Sequence, residues 1–73
     1  MCQSEVALLR QHIADEYEAM KRGLNGLAYG TAKHTFIDVR MKRVDSYHEQ
    51  LARQIGEQEA DSTVYELYRK IIG

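Results

Sequence analysis

The sequence predicts an all-α chain, an antiparallel helical hairpin followed by a short C-terminal helix. Three observations carry this reading. Proline is absent, so no residue forces a helix to break. The residues that form helices most readily (Ala, Leu, Glu, Gln, Lys and Arg) are abundant along the chain. Apolar residues also recur at steps of three and four in three successive stretches, the spacing that builds one helical face.

Helix 1 is expected over about residues 4–27, with Ser4 as its cap and Glu5 in the first turn, where a negative charge suits the helix dipole. Its seam runs Val6, Leu9, Ile13, Tyr17, Met20. Two signals conflict at its end. Lys21-Arg22-Gly23 has the look of a C-terminus, yet Leu24 and Leu27 continue the seam in phase. Continuation puts Gly23 and Gly26 inside a helix at roughly 1 kcal/mol each, which close approach of a neighbour along Ala19, Gly23, Gly26 and Gly30 offsets. The alternative is a compact loop over 23–30.

A turn is expected over about 28–30, at Tyr29-Gly30, with Thr31 capping helix 2 over about 31–55. The seam of helix 2 is Ile37, Met41, Val44, His48, Leu51, Ile55, a stripe about 80° wide at roughly 100° per residue. Gly56 ends it. Helix 3, about 57–72, opens on Glu57 and Glu59, closes on Arg69 and Lys70, and aligns Ala60, Val64, Leu67 and Ile71. Asp61-Ser62 offers a later start for this helix. Around a turn near 29–30, facing residues of helices 1 and 2 have numbers adding to about 59.

Seventy-three residues allow one domain and a core contributing only about 3–5 kcal/mol. Cys2 is the only cysteine, so no disulfide forms within a chain, and a reduced, cytoplasmic setting is expected. Oligomerisation is then the simplest support: two hairpins pairing into a homodimeric four-helix-type bundle, or a higher oligomer, with helix 3 packed across it or swapped. The interface is expected at Leu8, Ala19, Gly23 and Gly26 of helix 1. Phe36, Val39 and Tyr47 of helix 2 and Tyr68 of helix 3 complete it.

The function these features suggest is a small self-associating scaffold or adaptor without catalysis or cofactor, its partners a second copy and other helical proteins. Ten basic against eleven acidic residues create no field that calls for nucleic acid. The basic run of helix 2 (Lys33, Arg40, Lys42, Arg43) is expected to be solvated and laced with pairs such as Asp38–Lys42. No apolar run approaches the roughly 18 residues of a membrane span. No nucleophile–base pair or phosphate loop is visible.

His48 is the polar residue within a seam. It reads first as a neutral histidine hydrogen-bonded to a neighbour such as Tyr17 and fixing register, an arrangement sensitive to acid unless Asp45 is near. His34, beside Lys33 at the start of helix 2, reads as a surface residue. The alternative for His48 is a metal site. Asp45-x-x-His48 has i, i+3 ligand spacing and His12-x-x-x-Glu16 has i, i+4 spacing, so a dimer interface would gather both pairs for iron or zinc. That spacing resembles the encapsulated-ferritin plan, which implies a di-iron-carboxylate bundle. Leu9-Arg10-x-x-Ile13 with Tyr65-x-x-Tyr68-Arg69 resembles the three-helix dimer of chorismate mutases, which would place Arg10, Lys33 and Arg40 around a dicarboxylate. The lysine-to-arginine pattern of that family's middle helix is not matched.

Overall fold

The computed structural model describes residues 4–26 and 31–73, and the side chains of all of these but 24–26 and 31–33. The described residues form three helices and no strand: α1 (Glu5–Gly26), α2 (Thr31–Ile55) and α3 (Glu57–Ile71). Four expected features lie outside the described residues: the turn at Tyr29-Gly30, the Thr31 cap, the Leu24 and Leu27 side chains, and Cys2.

Ser4 caps α1. Its hydroxyl accepts a hydrogen bond from the Ala7 N–H at 3.1 Å, and its carbonyl accepts from the Leu8 N–H at 3.0 Å, satisfying two first-turn donors. The helix then runs through Gly23 to Gly26, following its in-phase seam rather than stopping at the glycine. What repays Gly23 is the Phe36 ring from α2. A Cβ at Gly23 would lie 2.9 Å from Phe36 Cζ, so only glycine lets the ring settle there.

Gly56 alone separates α2 from α3. Its N–H donates to the Ala52 carbonyl at 2.8 Å, and its own carbonyl accepts from the Ala60 N–H at 3.0 Å. One residue thus ends one helix and starts the next. The reversal requires φ 91° and ψ 157°, a region that side chains essentially exclude. Because α3 starts at Glu57, Asp61 is an interior helical residue and not the late cap that its sequence context offers.

α1 and α2 lie antiparallel in the expected register. Gly23 meets Phe36, Glu16 meets Arg43, His12 stacks on Tyr47 and Glu5 accepts from Gln54, all pairs whose numbers add to 59. α3 returns alongside α1, Tyr68 packing edge-on against Tyr17 at 5.6 Å between ring centres. Fifteen residues of α3 reach about 22 Å, whereas the 25 of α2 reach about 37 Å. α3 therefore covers one flank of the hairpin and only part of its length.

The core is correspondingly thin: Leu9, Ile13, Tyr17 and Met20 from α1, Val44 and Leu51 from α2, Ala60 from α3. Of the expected α2 seam only Val44 and Leu51 are buried; Ile37 and Ile55 pack half-buried against the core, and two further members lie at its edge. Met41 is 38 % exposed and the His48 side chain 30 %, because they occupy the edge of the stripe that turns toward α3 and solvent. The molecule measures 41 × 24 × 19 Å with a radius of gyration of 13.1 Å, against about 11 Å for a compact chain of this length. No helix among the described residues is long and apolar enough to cross a membrane.

Candidate functional site

Helical phase divides the hairpin into two faces. Leu8, His12, Ala19 and Gly23 follow one flank of α1, and Phe36, Val39, Arg43 and Tyr47 the adjoining flank of α2. α3 packs on the opposite flanks, beside Ala7, Arg10 and Ala14 of α1 and beside Asp45 and His48 of α2. The first face is open.

On the open face a buried carboxylate organises the contacts. Glu16, 8 % exposed, accepts a hydrogen bond from Arg40 Nη1 at 3.0 Å, and Arg43 Nη1 stands 3.9 Å from its other oxygen. The same Arg40 guanidinium lies 5.0 Å over the Phe36 ring, a cation–π contact. Gly23, Phe36, Arg40 and Glu16 thus form one continuous strip between the helices. His12 stacks on Tyr47 at 5.0 Å, its ring nearly parallel at 14°. Around this polar strip Leu8 and Val39 remain 44 % and 42 % exposed.

The opposite face holds a cleft between α2 and α3, with Tyr17 and Val44 at its base and His48 and Asp61 along one wall. His48 Nε2 lies 2.6 Å from Asp61 Oδ1, fastening α2 to α3. This corrects the expectation of a Tyr17 partner. Once Gly56 reverses the chain so tightly, Asp61 comes closer to the imidazole than any group on α1.

Three of the four candidate metal ligands are engaged by different partners, and the fourth, Asp45, pairs with none of the other described side chains. Glu16 is engaged by two arginines, His12 by Tyr47 and His48 by Asp61, while Asp45 lines the cleft beside His48. Among the described residues no group of three histidine, cysteine or acidic side chains is placed to hold a metal ion. Arg10 and Arg40, the arginines a chorismate-mutase-like site would need, are on different faces: Arg10 lines a groove with Leu67 and Glu66, and Arg40 is bonded to Glu16.

Of the expected interface residues, Leu8, Ala19, Val39 and Tyr47 belong to the open face. Gly23 and Phe36 do too, but they fill one another, so that part of the expected groove is occupied from within the chain. Gly26 closes α1 and its surroundings lie outside the described residues. Tyr68 lies across the molecule in the cleft. The Asp38–Lys42 pair forms as expected, at 3.2 Å.

The Glu16–Arg40 bond is the contact that sequence reasoning missed. Its signal was present, since Glu16 faces Arg43 in the same register and Arg40 is one turn away. No protein-family model, curated protein or solved structure matches the chain.

Proposed function

We propose that this chain is a self-associating helical scaffold in which two copies bury their open faces against each other. The carrying observation is the flank of the hairpin that α3 leaves uncovered, where the large hydrophobics Leu8 and Val39 stay 44 % and 42 % exposed. Ala19 and Tyr47 continue the patch.

Such a face offers aliphatic and aromatic contact surface on either side of arginines whose charge is partly answered by Glu16, and arginine and tyrosine are enriched in interfaces. A second copy supplies the same surface by two-fold symmetry, giving four long helices in one core with the two α3 helices outside. The scaffold reading needs no catalytic residue and no cofactor. It also suits a cytoplasmic setting, where Cys2 stays reduced.

Light scattering coupled to size separation tests the reading. The wild type is expected at twice the chain mass at tens of micromolar, and Leu8→Glu with Val39→Glu is expected to run at the chain mass with helicity retained. A wild type that stays monomeric at that concentration contradicts it.

A further inference from the structure

The cleft on the α3 side carries chemistry of its own, independent of the open face. Its volume is about 340 Å³, at the small end of ligand pockets, which run roughly 300–1,000 Å³. Tyrosine rings and carboxylates share it with Met41, Val44 and Val64, and among the described residues neither lysine nor arginine lines it. Asp45 makes no ion pair or hydrogen bond with another described side chain, and Asp61 uses only Oδ1 toward His48. Tyr17 is 2 % exposed, and its hydroxyl, which bonds to no other described residue, opens into this space. That oxygen is not sealed from solvent, since no buried side-chain oxygen among the described residues lacks a partner, so water or a ligand can take its hydrogen bond through the cleft.

Apart from the His48 imidazole, which Asp61 engages, the polar groups that converge here are carboxylates and phenols, with ring faces beside them. Carboxylates repel an anion and gain little charge stabilisation from a neutral alcohol. Ring faces attract cations through their quadrupole. An N–H-bearing cation satisfies both, donating to Asp45 and to the Tyr17 hydroxyl while an apolar stem lies along Tyr65, Tyr68 and Met41. We infer that the cleft binds a primary ammonium group on a short apolar stem, held by Asp45 and Tyr17 and flanked by Tyr65 and Tyr68. The same group occurs on a free alkylamine and on a lysine side chain.

The test is an NMR titration of the whole chain with n-butylammonium, n-butanol, butyrate and Nα-acetyl-lysine-N-methylamide. Saturable shifts confined to residues 41–48 and 61–68 are expected with both ammonium compounds, about tenfold weaker binding with butanol, and none with butyrate. Equal affinity for the two ammonium compounds assigns the site to free amines, and tighter binding of the lysine derivative assigns it to a peptide. Asp45→Asn, at an exposed position, is expected to lower ammonium affinity about tenfold with an unchanged melting temperature. Tyr65→Ala, also exposed, is expected to weaken it less. Butanol binding as tightly as butylammonium overturns the inference. So does an unaffected Asp45→Asn, or no saturable shift below roughly 20 mM.

Discussion

Glu16 shows how much a single side chain constrains this small core. It sits almost wholly out of water at the α1–α2 seam, and its carboxylate is compensated by Arg40 at 3.0 Å and, more distantly, by Arg43. Removing it strands a half-buried guanidinium, and an unpaired buried polar group costs more than a made hydrogen bond contributes. Glu16→Ala is expected to lower unfolding free energy by about 1–3 kcal/mol in urea titrations. In a double-mutant cycle, Arg40→Ala added to Glu16→Ala is expected to cost less than the two single changes together. Additive losses would show that the pair is not coupled.

Tyr17 gives a pH signature. Burial, with Tyr68 and Asp45 adding repulsion, pushes its phenol above the ordinary value of 10.0. The unfolded chain therefore releases this proton first as pH rises, and the folded chain holds it longer. The Tyr17 contribution is intact below about pH 10 and is lost as pH climbs from there toward the raised value. Urea midpoints followed from about pH 8 to 11 are expected to fall less steeply for Tyr17→Phe than for the wild type. The same slope in both would refute the assignment.

At the scale of the element, the helices were legible because local signals agreed: the Ser4 cap, the three- and four-residue seams and the terminal charges of α3 all point to the observed elements. The register of the first hairpin was legible too, since a short connection fixes which residues face. What could not be read was the approach of α3. A helix three to four residues per turn has no preferred flank until the reversal at Gly56 sets one, and that geometry decided that Met41 and His48 would border a cleft and Asp61 would meet the imidazole. The Gly23 puzzle resolved the same way, through a ring arriving from the facing helix. Gly56→Ala tests the importance of the reversal. Its backbone is in a region closed to side chains, with open space around a new Cβ, so the expected loss of about 1–3 kcal/mol is purely conformational. A change below about 0.5 kcal/mol would mean that the joint tolerates a different backbone.

For the whole molecule, shape and energetics are the grounds for the proposed assembly. Two helices of 22 and 25 residues extend beyond a third of 15, leaving a 41 Å rod whose core is continuous on one side and absent on the other. A chain of this size has little stability to spare, and an uncovered hairpin face both wastes apolar area and invites association. The acidic, aromatic cleft faces the other way and stays accessible in such a pair. Mixed-label NMR addresses the central claim most directly. Isotope-labelled and unlabelled copies are combined, and only contacts between copies are recorded. The account predicts contacts from the Val39 and Leu8 methyl groups to Leu8, Ala19, Val39 or Tyr47 of the other copy. An absence of intermolecular contacts at millimolar concentration, or contacts confined to Met41, Tyr65 and Tyr68, would contradict it.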